Sequence, residues 1–149
     1  VGPGTDLVNK KACSHPFTTY VTPTTLVYSV NAILASAPRY LWPGVMSTGG
    51  DSTEIYYRFQ QKSIVQGMSV NMRTGPGVGH TVTFTIVKSK TGAVGSGVPT
   101  QMVATVSGTN TTGSNYITSV DFGQGEYIAI RADKSAGNPE DIVVEIDIY

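Results

Sequence analysis

The chain has 149 residues, ten basic and ten acidic, and a formal net charge of zero. Charged residues make up only 13% of it, so no basic field is present to hold a polyanion or an anionic bilayer, and nucleic acid is not an expected partner. No apolar run approaches the roughly 20 residues that cross a bilayer as a helix, so no membrane insertion is expected, and a single cysteine, Cys13, excludes an intramolecular disulfide.

Thr, Ser, Gly and Val take the place of Lys and Glu, which is poor helix chemistry and good strand and turn chemistry. Residues 1–25 show little periodicity, being interrupted by Gly2, Pro3, Gly4, Pro16 and Pro23, and read as an N-terminal arm or linker. The chain opens on Val1 without a signal-peptide pattern, as expected of a processed product or the C-terminal part of a larger protein. Residues 26–149 form the expected domain, which at this size buries about two-thirds of its unfolded surface.

In that domain Leu26, Tyr28 and Val30 alternate with Val27, Ser29 and Asn31, and Tyr40 to Trp42 is a short apolar piece before Pro43-Gly44. Ile55, Tyr57 and Phe59 alternate with Tyr56, Arg58 and Gln60; Met68, Val70 and Met72 follow. A loop over Thr74 to Gly79 leads to Val82, Phe84 and Ile86. A Gly-dotted connection from Ser89 to Pro99 precedes Met102, Ala104 and Val106. Tyr116, Thr118, Val120 and Phe122 read as one strand, Ile128 and Ile130 as another. The clearest alternation closes the chain, with Ile142, Val144, Ile146 and Ile148 on one face and Val143, Glu145, Asp147 and Tyr149 on the other. Eight or nine short strands at this spacing predict an all-β fold, an antiparallel two-sheet β-sandwich with jelly-roll topology. An immunoglobulin-like sandwich is the alternative, without that family's paired cysteines.

No catalytic or metal constellation emerges. His15 and His80 are the only histidines, too few for a histidine-rich zinc site, and no base stands beside an obvious nucleophile. His80 reads as a loop-end side chain. Gly75-Pro76-Gly77-Val78-Gly79 lacks the spacing and the following Lys of a phosphate loop. Asp133, Asn138, Glu140 and Asp141 lack the spacing of a calcium loop and read as a solvated turn. Asn110-Thr111-Thr112 matches a glycosylation acceptor. Among Tyr40, Trp42, Tyr56, Tyr57, Tyr116, Tyr127 and Tyr149, most are expected to fill the core or a subunit contact. The candidate ligand or subunit contacts are Tyr40, Trp42, Tyr56, His80 and Tyr149. No cofactor and no metal are expected.

Gly67-Met68-Ser69-Val70-Asn71-Met72-Arg73, His80 to Lys88, Thr105 to Ser114, and Ser119-Val120 leading to Gly125-Glu126-Tyr127-Ile128-Ala129-Ile130 resemble, in that order, a β-sandwich module of virion surface proteins of tailed phages and large DNA viruses. Tyr40 to Gly44 and Thr53-Glu54 resemble its lead-in. The resemblance implies a non-enzymatic jelly-roll head of a fibre, spike or vertex. Such a head is homotrimeric, lies on the virion surface or otherwise outside the cell, and contacts a host surface glycan or protein or neighbouring capsid proteins. A secreted, monomeric carbohydrate-binding module is the alternative, and an enzyme the third reading. Where the module carries a tight Asn-Gly turn after Lys88, this chain has Ser89 to Pro99, and Gly125-Glu126 replaces a Gly-Asp turn; no ligand site carries over.

Overall fold

The computed structural model describes residues 23–36, 38–44 and 46–149. Most of the expected arm, with Cys13 and His15, therefore lies outside the described residues. The described part is antiparallel but for one short parallel pairing, contains no helix and divides into two sheets.

The strands are β1 (Thr24–Ile33), β2 (Arg39–Tyr40), β3 (Trp42–Pro43), β4 (Met46–Thr48), β5 (Tyr57–Arg58), β6 (Ser63–Thr74), β7 (Gly77–Ser89), β8 (Val98–Gly108), β9 (Thr112–Asn115), β10 (Val120–Phe122), β11 (Tyr127–Lys134) and β12 (Glu140–Ile148). The first sheet runs β10-β6-β12-β1-β3, with β4 on β1 and β9 on β6; the second runs β2-β11-β7-β8, with β5 on β11. The pairings nest from the outside of the chain inward. β1 pairs with β12, β2 and β5 with β11, β6 with β9 and β10, and β7 with β8. First with last and second with next-to-last is the winding of a jelly roll, as the strand count predicts.

The core lies between the sheets, where inward residues of alternating strands meet. Tyr28, Met68, Val70, Ile142, Val144 and Ile146 come from one side, and Phe84, Ile86, Met102, Ile128 and Ile130 from the other. Each such burial stabilises by about 1.5–3 kcal/mol. The closing strand keeps its predicted register: Ile142, Val144 and Ile146 are fully buried, Glu145 is exposed, and Ile148 is partly buried against the core.

Four sequence expectations change. Thr24 and Thr25 already pair with Ile148 and Asp147, so the first strand starts before residue 26. Tyr40 to Trp42 is not one strand: β2 joins the second sheet and β3 the first, the chain crossing at buried Leu41, whose N–H donates to Ile130 O at 3.1 Å. Of Ile55 to Gln60 only Tyr57–Arg58 forms a strand, pairing with Ile128 and Tyr127 of β11. The expected strand from Tyr116 to Phe122 is broken. Asn115 Oδ1 accepts the N–H groups of Ile117 and Thr118, each at 3.1 Å, and this side-chain turn ends pairing before β10 resumes it.

Candidate binding groove

The five candidates from the sequence fall in separate places. Tyr40 and Tyr56 share the outer face of the second sheet. There the phenol of Tyr40 is raised above the usual tyrosine pKa, by burial first and then by Glu54. Tyr56 packs edge-on against Tyr127 at 5.9 Å between ring centres. It lies under the β7–β8 loop, where Gly97 passes so close that a Cβ would sit 2.6 Å from Tyr56 Oη and 2.4 Å from Val87. Glu54 anchors that loop, accepting the Gly95 N–H at 2.9 Å. Segment and loop together leave outward-facing Val87 and Ala129 buried. These outward-facing apolar side chains are thus hidden by the chain itself.

Trp42, 40% exposed, stands where the chain changes sheets. Its side chain joins Thr53 and Ser52 in holding the Asp51 carboxyl below the usual range, the Thr53 backbone N–H acting most strongly. His80 packs beside Gly77 and Gly137 at the hairpin end, next to the turn considered for calcium. In that turn Glu140 and Asp141 are both bridged to Arg73, Asp141 also accepts the Ala32 N–H at 2.7 Å, and Asp133 pairs with Arg131 at 2.9 Å. Among the described residues no group of three or more His, Cys, Asp or Glu side chains is arranged to hold a metal. None of the seven aromatics expected mainly in the core or a contact is in the core. Phenylalanines, aliphatic side chains and Tyr28 fill that space instead.

Tyr149 lies at the other end of the sandwich, 41% exposed on the outer face of the first sheet, and exchanges both backbone hydrogen bonds with Ile64. Asp121 pairs with the same Ile64 from the far side. Next to this row the ring of Tyr116 covers Gly67, where a Cβ would come within 2.3 Å of it, and fully exposed Ile117 forms the tip of the turn. Tyr149 and Ile64, Tyr116 over Gly67, and Ile117 on the adjoining turn thus gather at this end of the first sheet.

Beside these residues runs the seam between the sheets' free edges, β8 and β10. Half of it is closed. β9 leans over β8, with Asn115 Nδ2 donating to Val103 O at 2.9 Å and Gly113 set where a Cβ would meet Thr105 O at 2.9 Å. Past the break at Asn115 the seam opens into a groove of about 630 Å³. Lys88, Lys90, Val98, Pro99, Gln101, Ser119 and Asp121 line it.

Lys88 braces the groove. Its Nζ donates to Asp121 O at 2.6 Å, pairs with Glu126 at 2.9 Å and stands 5.3 Å from the centre of the Phe122 ring. Glu126 also accepts the Gly123 N–H at 2.6 Å. That bond first, then Lys88, holds the Glu126 carboxyl below the usual carboxylate range. Lys90 Nζ and the Asp121 carboxylate, by contrast, make no hydrogen bond or salt bridge with any described residue. The sequence held one sign of this site, the Ser89 to Pro99 connection in place of a tight turn. Nothing in it brought residues 119–121 opposite residues 98–101.

No family model and no curated protein matches the chain. Among solved structures it is similar to Eiger TNF from S. frugiperda, at 6% sequence identity and a TM-score of 0.41, over 85% of this chain and 92% of that one. Among the described residues no helix is long and apolar enough to cross a membrane.

Proposed function

We propose that this chain is a non-enzymatic attachment domain, a jelly-roll head on the surface of a virion that works as a homotrimer and contacts a host surface or neighbouring capsid proteins. The observation that carries the reading is the gathering of exposed apolar and aromatic residues at one end of the first sheet, with Ile64 and Tyr149 paired there and Tyr116 and Ile117 on the adjoining turn. Tyr116 is 59% exposed and Ile117 fully so, and exposed apolar surface gathered at one end of a small domain marks an interaction surface. A closed ring of identical copies would cover it. The choice of three copies, and of a virion, rests on the resemblance of residues 64–149 to virion surface modules.

Light scattering at micromolar concentration tests the assembly. The expected mass is three times that of the 15.7 kDa chain. Tyr149→Ser together with Ile117→Ser should lower it towards one chain while leaving the melting temperature of the dissociated protein unchanged. A wild-type protein that stays monomeric on concentration overturns the subunit-contact reading and favours the monomeric carbohydrate-binding alternative.

A further inference from the structure

We propose that the groove between β8 and β10 binds a neutral saccharide, held by Asp121, Gln101 and Lys90 over the surface of Val98 and Pro99. This rests on the attachment reading and names its ligand. The volume of about 630 Å³ lies within the roughly 300–1,000 Å³ of small-molecule sites.

The charges select the class. Lys88 is already neutralised by Glu126, at 2.9 Å, so the groove presents one unpaired ammonium, on Lys90, and one unpaired carboxylate, on Asp121. A multiply charged anion would face the Asp121 carboxylate, and a cation would face the Lys90 ammonium. A ligand without net charge but dense in hydroxyls suits both groups, since each hydroxyl can donate to the carboxylate or accept from the ammonium. Bonds of that kind are about twice as strong as neutral ones. Gln101, exposed, adds an amide able to donate and accept.

The wall supplies the other half of sugar recognition. Val98 is 65% exposed and Pro99 follows it, also exposed; together they offer a C–H surface to the apolar face of a pyranose ring. An added peptide strand fits less well. Pro99 has no N–H to give an edge partner, and lysines flank the edge, two features that block strand addition.

The test is a ¹H–¹⁵N NMR titration of the assigned protein with the methyl glycosides of galactose, glucose, mannose and N-acetylglucosamine, with inorganic phosphate as the anion control. At least one glycoside should shift the amides of Lys90, Gln101, Ser119 and Asp121 at millimolar concentration. Asp121→Ala, which keeps the backbone oxygen used by Lys88, should weaken that binding about tenfold or more, and Gln101→Ala should weaken it severalfold.

Silence of these amides towards every glycoside overturns the proposal, as does a shift produced by phosphate alone or binding that survives both substitutions. Light scattering on the same samples separates it from the assembly reading. A trimer that ignores the glycosides sinks only the saccharide site; a monomer that binds them sinks only the subunit contact.

Discussion

Replacing Tyr28 by Phe tests whether this core carries an uncompensated polar group. Tyr28 is fully buried between the sheets, and its hydroxyl has no hydrogen-bond partner among the described residues. Burial first, and the Tyr57 phenol second, push its pKa well above the usual tyrosine range. Leaving a buried hydroxyl unpaired costs about 1–3 kcal/mol, so Tyr28→Phe should gain about 1 kcal/mol, or about 2–4 °C in melting temperature for a chain of this size. Removing the ring with Tyr28→Ala should instead cost about 3–5 kcal/mol. Alkaline melts give an independent reading. Above the unfolded pKa of 10.0 the unfolded chain releases this proton and the folded chain keeps it, so wild-type stability falls as pH rises. This one group contributes up to about 1.4 kcal/mol per pH unit, and the Phe variant lacks that contribution. A Phe variant destabilised by about 1 kcal/mol or more would show that the hydroxyl is bonded in solution and refute the reasoning.

Ile146→Ala should cost about 2–5 kcal/mol, because its side chain is fully buried, while Glu145→Ala next to it should be nearly silent; chemical denaturation of both checks the register. Glu126→Gln should remove an acid-sensitive brace. The Glu126 carboxyl is held below its ordinary 4.5, so its stabilisation is present above that pH and lost as pH falls through the lowered value, and the melting-temperature gap between wild type and variant should close in acid. Ala32→Gly should stabilise by about 0.5–1 kcal/mol. Ala32 sits at φ 59° in the β1 bulge, where a Cβ costs about 1–2 kcal/mol and glycine's extra chain entropy returns about 0.5–1 of it; a lower melting temperature would show that the bulge is unstrained.

How much of this was legible follows from what each signal depends on. Period-two alternation depends only on one strand and one core face, so Ile142 to Ile148 and Met102 to Val106 could be read directly. Tyr40 to Trp42 and Tyr116 to Phe122 also look continuous in composition, yet each is split by an event outside its own pattern. One is a crossing between sheets fixed by Leu41 meeting Ile130; the other is the Asn115 side chain taking over backbone donors. The outer aromatics were hard to place for a related reason. Tyr56 is covered by a loop that begins more than thirty residues later in the chain.

The Asn115 turn explains why both candidate surfaces lie at one end of the molecule. Had pairing continued through residues 116–119, β9 would have run on along β6 as a single edge strand. Tyr116 and Ile117 would then have sat in the ladder's alternation in place of projecting from it. Asn115 instead bonds forward to Ile117 and Thr118, and its amide reaches sideways to Val103 O. It thereby closes the seam on one side of itself and releases the chain on the other. The released turn throws Tyr116 over Gly67 and exposes Ile117 at the end of the sheet that carries Tyr149, and it delivers Ser119 and Asp121 to the groove wall. One polar side chain at a strand end thus sets the patch that we assign to a neighbouring copy next to the groove that we assign to a sugar. A trimer formed through the patch would hold its three grooves at fixed spacing, and individually weak sites linked in that way gain about 10²–10⁴ in avidity without a new contact.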